Sequence, residues 1–242
     1  MPFSPKPRMP SSMRPSGLSR SHRITLAGLD FIPDLSGALY APAFEALLVA
    51  DLHLEKGTSL ARRGVHLPPY DTRESLLQLK AVIASAQAQR LIFLGDSFHD
   101  GEARARIDAS DLALLTSITS AAETIWITGN HDPEPPQDIG GMILQEMALG
   151  PVTLRHEPKA LAPEQYEIAG HLHPAAAIHA RGRRIRCRCF IADERRLIMP
   201  AFGSYTGALS VRSEAFAGLF GEFHVWMIGG QAVHRFPAAK VS

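Results

Sequence analysis

The sequence predicts an α/β fold, a two-sheet sandwich flanked by helices, with a metal site at the carboxyl ends of its strands. Five short apolar runs each end on a metal-type ligand. ALLVA precedes Asp51-Leu52-His53, LIFLG precedes Asp96 and TIWITG precedes Asn130-His131-Asp132. VTLR precedes His156, and YEIAG precedes His171-Leu172-His173. Each run has the length and the β-branched or aromatic content of a buried strand. Helical patterns separate the first runs, and after Gly170 short strand-like segments follow one another with few helical intervals. Ligand sites in open α/β sheets lie outside the carboxyl ends of the strands, so five such endings predict one shared polynuclear site.

Taken in order, residues 1–22 are rich in Pro and Ser, basic and free of acidic residues. Such a segment buries too little apolar surface to offset its ordering entropy and is expected to be a disordered tail. A transit peptide and a later start at Met9 or Met13 are the alternatives. From Arg23, RITLAG and EALLVA read as strands. DTRESLLQLKAVIASAQAQ reads as a helix opened by Asp71 and Glu74, a variant capping box, with Leu76, Leu79 and Ile83 on one face. A second helix is expected from Asp108 to Ala122, with Leu112, Leu115 and Ile118 inward. Strands alternating with helices imply βαβ units with right-handed crossovers. AAAIHA, RIRCRCFIA, RRLIMPAFG, EFHVWMIGG and QAVHRF then predict a second, more antiparallel sheet beginning after Gly170. The tail is set apart as 1–22, and a single folded domain is expected over 23–242.

Composition bounds the function. The chain has 242 residues, 45% hydrophobic and 20% charged, the profile of an ordinary globular protein. No apolar stretch reaches membrane-span length and no signal-peptide core follows the N-terminus, so a cytoplasmic location is expected. The net charge of +1 supplies no global field for a polyanion, so any nucleic-acid affinity must come from a local patch. Cys187 and Cys189, one residue apart on a strand, face the same way and read as reduced structural residues.

In Asp51-Leu52-His53 the ligands are two apart, so an extended backbone would aim both the same way, and His171 and His173 repeat that spacing. Gly95 and Gly129 stand immediately before Asp96 and Asn130, where they allow sharp bends. The set mixes hard oxygen with imidazole nitrogen and lacks thiolate, which suits Mn²⁺, Fe or Zn²⁺ better than Ca²⁺.

The series DLH, GDSFHD, GNHD, RH and GHLH resembles the motifs of the calcineurin-like metallophosphoesterases. The resemblance implies a metallophosphoesterase sandwich holding two divalent metal ions, Mn²⁺ first among them. Asp51, His53 and His173 would hold one ion, Asn130, His156 and His171 the other, and Asp96 would bridge them. His131 would face the substrate, Asp132 would orient it, and Asn130 would also stabilise phosphoryl charge. DLHLEKG, ARRGVHLPPYDT, LGDSFHD, GNHD, AGHLHP and LIMPAFGSYTG together resemble the ligase-associated DNA damage response endonuclease branch, over about Arg23 to Arg235. Ala208 departs from that pattern by following Gly207 where a second glycine is expected.

What this implies is a phosphodiesterase acting on single-stranded or duplex DNA in bacterial DNA repair. An ATP-dependent DNA ligase, a helicase and an exonuclease of one repair cluster would be its partners. Lys56, Arg62 and Arg63, with Arg73, lie in a segment read as a loop between the first motif and the first helix, and are candidates for flanking phosphates. His99 is a further substrate-side candidate. The basic run Arg181 to Arg188 reads as an exposed strand face. The rival readings are a cyclic-nucleotide or small-molecule phosphoesterase and a non-catalytic scaffold of the same fold.

Overall fold

The computed structural model describes residues 23–65, 67–68 and 70–242; the expected disordered tail and His66 lie outside the described residues. The first sheet runs in chain order through seven strands. These are β1 (Ile24–Leu26), β2 (Leu29–Pro33), β3 (Leu39–Ala41), β4 (Ala46–Val49), β5 (Arg90–Leu94), β6 (Glu123–Ile127) and β7 (Met142–Leu144). The strands from β1 to β4 pair antiparallel, and those from β4 to β7 pair parallel. Helix α1 (Lys56–Arg62) and helix α2 (Asp71–Ala86) link β4 to β5; α3 (Ala103–Arg106) and α4 (Ala109–Ser120) link β5 to β6. Parallel neighbours need such crossovers, and the alternating helical and extended patterns supply them.

The period of two along each strand sorts the core into layers. Leu48, Ile92 and Ile125 point towards the second sheet and pack in one cluster with Leu154, Ile168 and Leu197. Leu47, Leu91, Phe93 and Trp126 point the other way, onto Leu76 and Leu79 of α2 and Leu115 and Ile118 of α4. Phe93 and Trp126 stack with ring centroids 4.0 Å apart, stiffening the strands whose ends carry Asp96 and Asn130. The expected helical faces are therefore the buried ones. Two local expectations are corrected. The segment from Lys56 is helical, as α1. Asp71 is the first residue of α2 and not its cap; its carboxylate is buried and accepts the Gly57 N–H at 2.9 Å.

The second sheet comprises β8 (Glu146–Leu149), β9 (Val152–Arg155), β10 (Tyr166–Ala169), β11 (Pro174–Ala180), β12 (Arg183–Ala192), β13 (Arg196–Ile198), β14 (Leu209–Ser210), β15 (His224–Ile228) and β16 (Val233–Pro237). Its order is β14-β11-β12-β13-β10-β9-β8, with β15 joined to β12 and β16 to β15. It begins well before Gly170, which corrects the expected boundary. VTLR and YEIAG pair parallel to each other within this sheet and not with the first. A parallel pair carries no local signal of which sheet it joins, since both faces are buried either way. The consequence is functional: three of the ligand-bearing strands come from one sheet and two from the other.

Strand β10 holds its place through a buried ion pair. Glu167 Oε1 lies 2.5 Å from Arg196 Nε, while Arg155 Nη1 is 3.4 Å from Glu167 Oε2. The Arg196 guanidinium also donates to the carbonyls of Leu219 and Lys159. Removing one partner strands a buried charge, so Glu167→Ala should lower unfolding free energy by about 3–5 kcal/mol, read by urea denaturation. A loss below about 1 kcal/mol would show the pair to be solvated in practice. Among the described residues, no helix is long and apolar enough to cross a membrane.

Candidate metal centre

The chain leaves β4, β5 and β10 by turning at once into a left-handed backbone. The φ angles are 53° at Asp51, 45° at His53, 47° at Asp96, 68° at His171 and 44° at His173. Non-glycine residues rarely occupy this region, and the strain persists only where surrounding structure over-determines it. An extended DLH is thus corrected: both ligands reach the site through left-handed turns. Hydrogen bonds between loops hold those turns. The Asp51 N–H donates to Gly95 O at 3.2 Å, the His53 N–H to Asp96 O at 2.8 Å, and the Gly203 N–H to Asp51 O at 3.2 Å.

Space requires both bend glycines, and at Gly95 the backbone angle does too. Gly95 has φ +77°, and a Cβ there would lie 2.5 Å from the His156 ring. At Gly129 a Cβ would lie 2.1 Å from the Asp96 backbone nitrogen, an atom that cannot move aside. Gly129→Ala is expected to cost about 3 kcal/mol of stability, seen as a lowered Tm. An unchanged Tm would mean that the two loops do not approach as described.

Beside a cluster of His53, His99 and His131, two groups of the expected ligand residues result. Asp51, His53 and His173 form the first, with His173 Nε2 lying 3.2 Å from Asp51 Oδ1 and 3.3 Å from His53 Nε2. Asp96, His156 and His171 form the second, with His156 Nε2 lying 3.3 Å from Asp96 Oδ2 and 3.1 Å from His171 Nδ1. Asn130 Oδ1 joins the second group at 2.9 Å from His156 Nε2. Asp96 Oδ2 is also 3.9 Å from His53 Nε2, so this carboxylate stands between the groups. All seven residues named as ligands from the sequence therefore converge on one place, drawn from both sheets.

The donor chemistry fits divalent cations. A backbone carbonyl can only accept, so His156 Nδ1–H donates to Leu94 O at 2.9 Å and His173 Nδ1–H donates to Gly207 O at 3.1 Å. Both rings thereby turn Nε2 into the cluster, the orientation found when an outer partner positions a ligating histidine, and that nitrogen offers a lone pair once its proton is given up. Electrostatics agree. Burial opposes charge on His156, yet its bond to Asp96 and the Asp51 carboxylate push its pKa up to about 9. Burial also works against ionised Asp96, but His156 and the His131 N–H pull it down to about 2. The carboxylates draw positive charge to this position. His53 moves the other way, lowered to about 2 by burial and then by His173, which keeps its ring neutral.

His131 is the exposed member, its side chain 42% accessible. Its backbone N–H donates to Asp96 Oδ1 at 2.8 Å and its Nδ1–H donates to His99 O at 2.8 Å. That leaves Nε2, 4.0 Å from Asp96 Oδ2, without a hydrogen-bond partner among the described residues. The expectation that Asp132 orients this ring is corrected: its partner among the described residues is the His99 carbonyl. Asp132 instead binds loops together, accepting N–H groups from Ser97 at 2.8 Å, Phe98 at 3.1 Å and Gly129 at 3.1 Å. Burial raises its pKa to about 7, the Phe98 and Ser97 donors acting against the rise. His99 lies beside the site, its ring stacked on His131 at 5.2 Å and 5.5 Å from His53.

Lys56 is half-buried at the start of α1; burial lowers its pKa, against the opposing fields of Asp51, Asp71 and Asp96. Arg63 is exposed, whereas Arg62 is paired with Glu102. Arg62, Arg63 and Glu102, with Ser59, Asp100 and Arg106, border an open groove of about 350 Å³.

The two segments without ligands support the site from outside it. Gly203 N–H and Gly207 O, from PAFGSYTG, hold the Asp51 backbone and the His173 ring. Asp71 and Pro68, from LPPYDT, receive Gly57 N–H and the Tyr205 hydroxyl at 2.9 Å. Sequence reasoning missed buried Glu55; its Oε1 accepts the Thr72 hydroxyl at 2.8 Å, fixing α1 against α2.

Two mixed sheets packed face to face, helices outside and Asp, His and Asn gathered at the strand ends define the metallophosphoesterase sandwich fold. A nuclease MPE of Pseudomonas putida shares this structure, with 29% sequence identity and a TM-score of 0.71 over 89% of this chain and 99% of that one. Yfce, a phosphoesterase from E. coli, aligns over 79% of this chain and 97% of its own at 14% identity and a TM-score of 0.42. No family model matches the chain, and no curated protein matches it. The first likeness is consistent with the metallophosphoesterase and nuclease family that the motif series resembles.

Proposed function

We propose that this chain is a metal-dependent phosphodiesterase that cleaves DNA. The observation that carries the reading is the pair of ligand groups meeting at Asp96. Asp51, His53 and His173 would hold one divalent cation and Asn130, His156 and His171 the other, with Asp96 shared. When bound, two such cations supply Lewis-acid chemistry, polarising phosphoryl oxygens and making a neutral-pH nucleophile of water. Mn²⁺ is the ion proposed, with Fe and Zn²⁺ compatible with the same donors.

The chain's own groups do the rest. The His99 carbonyl holds the His131 ring with Nδ1 protonated, so Nε2 is the nitrogen that exchanges protons. Protonated there, it hydrogen-bonds a phosphoryl oxygen or donates its proton to the departing alkoxide. The Asn130 amide stabilises negative charge on the phosphoryl oxygens. Lys56 and Arg63 hold phosphates flanking the scissile bond, beside His99. DNA as substrate is supported by the nuclease likeness. A role in bacterial DNA repair beside a ligase, a helicase and an exonuclease, a cytoplasmic location and one folded domain over 23–242 complete the reading.

The test is hydrolysis of bis(p-nitrophenyl) phosphate, a monoester, single-stranded DNA and duplex DNA across Mn²⁺, Fe²⁺, Zn²⁺ and Mg²⁺. Metal-dependent cleavage of the diester and of DNA is expected, with chelation abolishing both. Turnover of the model diester with both forms of DNA left intact would move the substrate to a cyclic nucleotide or small molecule, the reading that a net charge of +1 favours. An inert protein at full metal occupancy would make it a scaffold.

A further inference from the structure

Four arginines along the helices have an acidic partner: Arg62 with Glu102, Arg73 with Asp111, Arg104 with Asp138 and Arg106 with Asp100. Arg63, just past α1, has none among the described residues. The β11–β12 hairpin is like Arg63 in this. Arg184 and Arg186 have no carboxylate partner among the described residues. Both are exposed, and residues 1–22 contain no acidic side chain.

Strand geometry shows which way they face. In β12 the odd positions Ile185 and Cys187 pair with Ile178 and Ala176 of β11, and Cys187, Ile178 and Ala176 pack in the apolar cluster of the second sheet. The even positions 184, 186 and 188 therefore lie on the opposite face, with His179 beside Arg184. That face adjoins the loops of the metal centre. Arg188 is largely covered and donates to Ala201 O at 2.9 Å and Ser36 O at 2.9 Å. Arg186 donates to Ala208 O at 2.6 Å, one residue beyond the Gly207 carbonyl that fixes His173.

We propose that Arg184 and Arg186 form a phosphate-backbone subsite that guides a nucleic-acid strand from the β11–β12 hairpin into the metal centre. The proposal rests on the nucleic-acid reading above. The strand would cross the cluster between this subsite on the His173 side and Lys56 and Arg63 on the His131 side. Unpaired guanidinium groups bind phosphate without a competing carboxylate to displace, and they read backbone and not sequence. The arrangement also explains how a chain of nearly neutral net charge could hold a polyanion: carboxylates pair with Arg62, Arg73, Arg104 and Arg106 along the helices and not with the two hairpin arginines.

The test is fluorescence-anisotropy binding of a labelled single-stranded oligonucleotide to the metal-loaded protein across a salt series. Wild type, Arg184→Glu/Arg186→Glu and Arg184→Lys/Arg186→Lys are compared, with folding checked by Tm. Charge reversal is expected to weaken binding by about tenfold or more. It should also flatten the slope of log affinity against log salt by about 1.4, two contacts at roughly 0.7 each. The lysine variant keeps most of the binding. Equal affinity and slope in wild type and the glutamate variant would overturn the proposal, as would a wild type that binds no oligonucleotide. Equal loss in a well-folded lysine variant would also overturn it, since charge would then not be the cause. Failure of the underlying reading shows separately, in the hydrolysis panel above, as a wild type that cleaves neither form of DNA with any of the metals.

Discussion

Asp96→Ala is expected to lose both cations and, with them, diester hydrolysis. Asp96 Oδ2 is 3.3 Å from His156 Nε2 and 3.9 Å from His53 Nε2, so one carboxylate serves both ligand groups. Its other oxygen receives the His131 N–H at 2.8 Å. Removing an outer partner of a ligand already costs about 10–100-fold in metal affinity, and a shared ligand should cost more than about a hundredfold. Metal content after dialysis, measured by elemental analysis against wild type, reads the effect directly. Retention of two ions per chain would show that Asp96 does not join the groups.

The second large effect is expected at His131→Ala, and its signature is the opposite. The ring lies outside both ligand groups proposed here, its Nδ1–H held by the His99 carbonyl and its Nε2 free for exchange. The variant should therefore keep its metal content while turnover falls by about 10²–10⁴, the usual scale for general acid–base catalysis. Near-wild-type turnover would remove the histidine from the chemistry. Loss of bound metal would instead make it a ligand, a reading for which His53, His99 and His131 are close enough.

Much of the site was legible because each ligand directly follows a strand, and a run such as LIFLG-Asp96 places its last residue at a sheet edge whatever the partner strands are. The convergence of seven residues needed no knowledge of register. The membership of β9 and β10 was not legible, because strands buried on both faces look alike in either sheet. Nor were the left-handed turns at Asp51, His53, Asp96, His171 and His173, since no local propensity favours them; loop-to-loop hydrogen bonds impose them. The role expected of Asp132 failed for a related reason. Its three N–H donors come from two loops far apart in sequence, and spacing alone cannot reveal such contacts. The charged residues were hardest to read, because a run of arginines has the same appearance whether or not carboxylates elsewhere neutralise it. Structure separates Arg62, bound to Glu102, from Arg184 and Arg186, which share one face of β12 and have no carboxylate partner among the described residues.

The most direct test of the whole account is anomalous diffraction from crystals of the protein grown with Mn²⁺. Two peaks are predicted, one among Asp51, His53 and His173 and one among Asn130, His156 and His171, with Asp96 contacting both. A single peak, or two peaks with Asp96 touching neither, would contradict it.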